Sequence, residues 1–164
     1  MTSPSWQVRI ADDSDCSQIM QIWNHYIDTT CVTFTTARKT LDDLQVQTRA
    51  RGPLFLVARQ DARVLGFATA FAFRSGPGYA HSFEHSVLLA PQITGQGIGR
   101  ALMSQLQVNL RDQGAHCLFA GVSAENPAGI QFHARLGFCV AARLPEVGFK
   151  FGRFMDLVLM QKFL

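Results

Sequence analysis

The chain has 164 residues and a net charge of +3 spread along its length, which fits one domain able to bury roughly two thirds of its unfolded surface. It has no Lys/Arg run and no basic–aromatic pattern, which argues against a nucleic acid partner, and no apolar stretch approaching the roughly 20 residues that span a bilayer, which argues against a membrane partner. Charged residues make up 16% of the chain and Phe occurs 13 times; usual soluble domains are roughly 25% charged, so apolar surface is expected to be buried beyond a single core, in a homodimer interface. Residues 1–10 lack a basic segment followed by an apolar one, so a cytoplasmic location is expected. Cys16, Cys31, Cys117 and Cys139 form no Cys-x-x-Cys pair and are read as reduced thiols.

Residues 7–10 read as a short strand. Asp13 or Ser14 caps a helix whose apolar positions Ile19, Ile22, Trp23, Tyr26 and Ile27 have the spacing of one buried face. The β-branched, polar stretch 29–36 reads as a loop, and a second helix is expected over 40–50. Strands at 54–59 and 63–73, joined by Gln60-Asp61-Ala62, read as an antiparallel hairpin. A Gly/Pro-rich turn at 75–78 leads to a strand near 83–89. After a glycine-rich turn, Ile98, Leu102, Leu106 and Leu110 repeat at helical spacing, and Gly114 stops that helix. Residues 117–122 form a strand. Asn126 as N-cap and Pro127 at the first helical position open a further helix, which Gly137 ends. Two strands, around 138–143 and 154–160, close the chain. The prediction is a single α/β (α+β) domain over 1–164, with a mixed sheet and about four helices.

Strand, glycine-rich turn and helix in succession make a site for phosphate, because glycine lets the backbone approach an anion and the helix N-terminus adds partial positive charge. The dinucleotide fingerprint G-x-G-x-x-G fails from Gly95, where the sixth residue is Arg100, and from Gly97, where it is Leu102. The mononucleotide loop fails because no Gly-Lys follows. What stands there is Gln92-x-x-Gly95-x-Gly97-Ile98-Gly99, directly after Ser86-Val87-Leu88-Leu89-Ala90-Pro91. This resembles the Q/R-x-x-G-x-G/A acyl-coenzyme A signature of the GCN5-related N-acetyltransferases. Val8-Arg9-Ile10-Ala11 with Asp15 and Ile19 is similar to that family's opening, and Asn126, Pro127, Ala128, His133 and Leu136-Gly137-Phe138 to its late helix and strand. Glu84-His85-Ser86-Val87 and Val147-Gly148-Phe149-Lys150-Phe151-Gly152-Arg153 resemble the branch that includes phosphinothricin and methionine sulfoximine acetyltransferases.

The resemblance implies a mostly antiparallel sheet and an acetyl group moved from acetyl-CoA, as cosubstrate, to the amino group of a small molecule such as an amino acid or its analogue. It implies coenzyme contacts from Val87, Leu88 and Leu89, from Gly95, Gln96, Gly97, Ile98, Gly99 and Arg100, and from Asn126. Amine attack on a thioester needs a neutral amine, a stabilised oxyanion and a proton for the thiolate. Glu84, on a strand just before the coenzyme-binding residues, is the expected general base and attracts the substrate ammonium. His133 is the candidate acid, seven residues and so two helical turns from Asn126, where the superfamily often has Tyr. Arg74, at the end of a strand, suits a carboxylate on the acceptor; Ser86 and Phe34 are further acceptor candidates, with Lys150 and Arg153 weaker ones. The chain departs from the branch at 35–39, which lacks its acidic and proline residues, and at Ala80, where Arg is common.

His81-Ser82-Phe83-Glu84-His85 matches the H-x-x-E-H zinc protease pattern. That pattern works on a helix, whereas strand residues four apart are separated by roughly 13 Å, so no metal is expected. Two other readings retain the coenzyme: an acetyltransferase for a protein N-terminus, polyamine or antibiotic, and a non-catalytic acyl-CoA sensor.

Overall fold

The computed structural model describes residues 5–164; the leader-free reading of the first ten residues thus falls partly outside the described residues. Strands β1 (Gln7–Ile10), β2 (Phe55–Gln60), β3 (Arg63–Ala72), β4 (Ser82–Leu89), β5 (Cys117–Ser123), β6 (Cys139–Lys150) and β7 (Arg153–Phe163) alternate with helices α1 (Cys16–Thr29), α2 (Leu41–Arg51), α3 (Ile98–Asp112) and α4 (Pro127–Arg135). The strands form one seven-stranded sheet in the order β1-β2-β3-β4-β5-β7-β6. Pairs β1/β2, β2/β3, β5/β7 and β6/β7 are antiparallel, and β4/β5 is parallel. The expected mixed, mostly antiparallel sheet with four helices is therefore present.

The chain divides into two compact units. The first comprises residues up to Trp23, Lys39–Phe71 and Ser86–Gln113. Its core is the apolar run Phe55–Ala58 of β2 with Val64, Leu65, Phe67 and Ala68 of β3, all buried. The predicted helical faces are the buried ones: Ile19, Ile22 and Trp23 on α1, and Ile98, Leu102, Leu106 and Leu110 on α3. The expected cap, Asp13 or Ser14, is corrected to Asp12. Asp12 caps a 3-10 turn, Asp13–Asp15, through a capping box in which Asp12 accepts from Ser14 N at 2.9 Å and Asp15 accepts from Asp12 N at 3.0 Å. The reason lies in β1 and β2. Asp15 is fully buried, and Arg9 (2.9 Å) and Arg59 (3.1 Å) neutralise it, which fixes the cap at Asp12.

The second unit comprises Asn24–Arg38, Ala72–His85 and Gly114–Leu164. Its last two strands are longer than expected and form one hairpin. β6 passes through Pro145 to Lys150 by way of two register shifts, and Asp156 on β7 anchors the second, accepting from Glu146 N and Arg143 Nε, each at 2.9 Å. Phe151 and Gly152 make the turn with φ of 53° and 73°, both positive as a two-residue type I′ turn requires. Pro145 is tolerated because β6 is the outermost strand of the order. Among the described residues no helix is long and apolar enough to cross a membrane, and all four cysteines are free.

Candidate active site

In the first unit, β4 ends at Leu89 and the chain turns: Ala90 N donates to Leu65 O and Ile93 N to Ala90 O, each at 2.8 Å. Gly95 and Gly97 follow with φ of 68° and 75°. Gly97 is the N-cap of α3 and offers no side-chain cap, and no acidic residue lies in the first turn. The first amides of a helix lack intrahelical partners and carry partial positive charge. Gly95, Gln96, Gly97 and Arg100 are exposed, while Ile98 and Gly99 are buried. A Cβ at Gly95 or Gly97 would meet nothing within 4 Å, so the backbone there is open to an approaching anion. The turn therefore fits a phosphate group, as its sequence suggests.

In the second unit, β4 and β5 pair in parallel through Ser82, Phe83 and Glu84, and the last pair is Glu84 with Phe119. Successive side chains on a strand leave opposite faces, so Glu84 and His85 point apart. Glu84 is half-buried, and burial raises its carboxyl above the usual range. Its Oε1 lies 3.1 Å from where a Cβ on Gly121 would stand, so the carboxylate occupies room that this glycine leaves. A half-buried carboxylate with raised proton affinity is a competent base for an ammonium.

On the other face, His85 is buried and contacts Phe119 O through Nδ1 at 2.9 Å and His133 Nε2 through Nε2 at 3.0 Å. His133, also buried, contacts Gly129 O through Nδ1 at 2.7 Å. Carbonyls only accept, so both Nδ1 atoms carry protons. The Nε2–Nε2 contact then needs a third proton, one more than two neutral imidazoles hold. Burial and the neighbouring His133 push His85 down to about 3, so within the pair His133 is the ring that takes the third proton, at a cost that its own burial raises. Burial also lowers His133, making it a stronger acid than free imidazole. Phe132 and Phe138 close around the His133 ring, with centroids 5.1 and 5.3 Å away.

Asn126 caps α4, its Oδ1 accepting from Gly129 N at 3.0 Å, so its predicted capping role holds. Arg74 is exposed, 5.6 Å from the Phe73 ring, and Phe73 stacks on Phe119 with centroids 4.1 Å apart. Phe34 is half-buried against Gly148, where a Cβ would stand 2.7 Å from its Cγ. Ser86, Val87 and Leu89 are half-buried along β4, and Leu88 is buried. His81 and His85 of the zinc-like pattern have separate partners, since His81 Nδ1 donates to Gly114 O at 2.6 Å. Lys150 is withdrawn as an acceptor contact: it is 2% exposed and its ammonium donates to backbone carbonyls. Sequence reasoning missed the His85–His133 contact and Gly121. The alternation of β4 places His85 opposite Glu84, but its partner lies 48 residues away, beyond any local signal.

Comparison with known proteins shows the family. Residues 19–138 match the model of the acetyltransferase (GNAT) family. The chain is 37% identical to the L-amino acid N-acyltransferase MnaT of Escherichia coli (strain K12), over 94% of this chain and 91% of that one. It is 38% identical to the L-methionine sulfoximine/L-methionine sulfone acetyltransferase of Salmonella typhimurium, over 94% and 92%. Among solved structures, a GNAT superfamily phosphinothricin acetyltransferase from Sinorhizobium meliloti in complex with acetyl-CoA superposes with a TM-score of 0.89 at 27% identity, over 98% and 89%. Family model, near-full-length relatives and fold agree, and the chain belongs to the GNAT family of acetyltransferases.

Proposed function

We propose that the enzyme transfers acetyl from acetyl-CoA to the α-amino group of an amino acid or amino-acid analogue of the methionine sulfoximine or phosphinothricin type. The relatives' substrates support the acceptor class. The amides of the turn from Gly95 to Arg100, with Gln96, hold the coenzyme's diphosphate, and Val87, Leu88, Leu89 and Asn126 hold the rest. Glu84 takes the proton of the acceptor ammonium. The free amine then forms the C–N bond at the thioester carbonyl while backbone N–H groups of Val87–Leu89 stabilise the developing oxyanion. As the C–S bond breaks, His133 in its protonated form gives the proton it shares with His85 to the departing sulfur and is left neutral, with its Nδ1 proton on Gly129 O. Arg74 pairs with the acceptor's carboxylate, and Ser86 and Phe34 line its site.

The observation that carries this reading is Glu84: a half-buried carboxylate with raised proton affinity, on the strand that leads without interruption into the phosphate-binding turn. Release of coenzyme A from acetyl-CoA, followed with single L-amino acids, methionine sulfoximine and phosphinothricin, tests it. Turnover with the amino-acid analogues is expected. Turnover only with a polyamine or a peptide N-terminus would replace the acceptor, and none with any amine would reject the reading.

We further propose a homodimer. Val140, Val147, Phe149, Phe151, Phe154 and Phe163, all on the β6–β7 hairpin, are each more than half exposed. Phe151 holds a left-handed φ where Asn or Gly sits at less cost, so its exposed ring serves something other than the turn. A second copy covering this face gives twice the chain mass by light scattering at micromolar concentration; a monomer mass contradicts it.

A further inference from the structure

The motif Val147–Arg153 is not exhausted by its turn. Lys150, the last residue of β6, directs its ammonium inward, donating to Thr30 O at 2.7 Å, Thr33 O at 2.9 Å and Tyr26 O at 3.5 Å. An ammonium has three N–H donors and no acceptor, so all three are engaged. The carbonyls belong to the end of α1 and the segment after it. A helix C-terminus leaves orphan carbonyls and partial negative charge that cations relieve. α1 has no basic residue in its last turn, and the ammonium of a lysine 120 residues from Thr30 lies beside that end, its two short bonds going to Thr30 O and Thr33 O just beyond the helix.

The segment 30–40 has no helix or strand of its own, so contacts from elsewhere set its shape. Two residues before Lys150, Gly148 gives the Phe34 ring its place, since any Cβ there would overlap the ring. Just past the turn, Arg153 bonds Glu125 at 2.5 Å and Cys31 Sγ at 3.4 Å. Three residues of one hairpin thus meet Cys31, Thr30, Thr33 and Phe34.

We infer that Lys150 and Gly148 are positioning residues for acceptor recognition: the ammonium clamps the chain after α1, and the missing Cβ seats Phe34 so that its ring meets the apolar part of the acceptor. This rests on the reading above that Phe34 lines the acceptor site. Neither residue touches the acceptor, and neither contributes to the coenzyme turn. Their loss therefore separates the two substrates, which general damage to the fold would not do.

Steady-state kinetics of Phe34→Ala, Gly148→Ala and Lys150→Met, with methionine sulfoximine and acetyl-CoA each varied, test the inference. All three variants are expected to raise KM for methionine sulfoximine roughly tenfold or more, as displacements on the ångström scale do, with KM for acetyl-CoA within about twofold of wild type. If Phe34→Ala raises the acceptor KM while Gly148→Ala and Lys150→Met do not, the positioning role is wrong and the acceptor site stands. If Phe34→Ala leaves it unchanged, the reading of Phe34 falls and the inference with it. Should Lys150→Met not fold, Gly148→Ala decides the kinetics and the wild-type protein decides the clamp. A Lys150 Nζ ammonium resonance in slow exchange with solvent supports it, and a fast-exchanging Lys150 overturns it.

Discussion

At Gly95 and Gly97 an added methyl group would meet empty space, yet the backbone lies at φ of 68° and 75°, where side chains are strained. At Gly121, Gly129 and Gly148 the backbone is outside that region, and the methyl would land 3.1 Å from Glu84 Oε1, 2.9 Å from Asn126 Cγ and 2.7 Å from Phe34 Cγ. Gly95 and Gly97 serve conformation, whereas Gly121, Gly129 and Gly148 serve room. A ligand held by backbone amides depends on the path of the chain and little on side chains. The roles proposed for Glu84, Asn126 and Phe34 depend on what their neighbours omit. Substitutions in the two sets should therefore fail in different parameters, one in coenzyme binding and the other in turnover or acceptor binding.

The largest effect is expected from the group that the second set makes room for. Glu84→Gln keeps the shape and removes the proposed base, so kcat should fall by roughly 10² to 10⁴, the range for general base catalysis, with acetyl-CoA affinity unchanged in calorimetry. Next comes Gly97→Val, which puts a β-branched residue at φ of 75°. A strain of about 1–2 kcal/mol at the turn weakens acetyl-CoA binding roughly tenfold, while Gly97→Asn, which tolerates this region, should lose much less. Gly121→Ala presses on the Glu84 carboxylate, whose neighbour must give by a few tenths of an ångström; kcat should fall several-fold, by roughly tenfold at most, at constant KM for acetyl-CoA. If it weakened acetyl-CoA binding instead, the division between the two glycine sets would be wrong. The smallest effect is Asn126→Ala, which removes the α4 cap at about 1 kcal/mol of stability, read from the urea midpoint.

The parts of this fold that were legible in the sequence are those set by local periodicity. Ile98, Leu102, Leu106 and Leu110 are fully or almost fully buried because a 3.6-residue period specifies one face, and the turn before them is legible because its glycines follow a strand and open a helix. The β6–β7 hairpin was seen only in part. Pro145, the two register shifts and a Phe at a left-handed turn position all break the alternation that announces a strand. The cap lies at Asp12, ahead of the expected Asp13 or Ser14, because buried Asp15, held by Arg9 and Arg59, decides it, and that contact is tertiary. The site divides the same way. Asn126 and Glu84 stand in recognisable local settings, whereas the His85 partner of His133 and the carbonyl partners of Lys150 come from distant segments.

The central claim is that the raised carboxyl of Glu84 is the base. The pH dependence of kcat/KM for methionine sulfoximine, in wild type and Glu84→Gln, tests it most directly. Glu84 acts as a base only when ionised, and burial lifts its pKa above 4.5. Activity should therefore rise with pH along a limb displaced upward from 4.5, and Glu84→Gln should lack that limb while keeping the one set by the acceptor's own amine. A wild-type profile without the limb, or a variant that retains it at wild-type rate, would contradict the account.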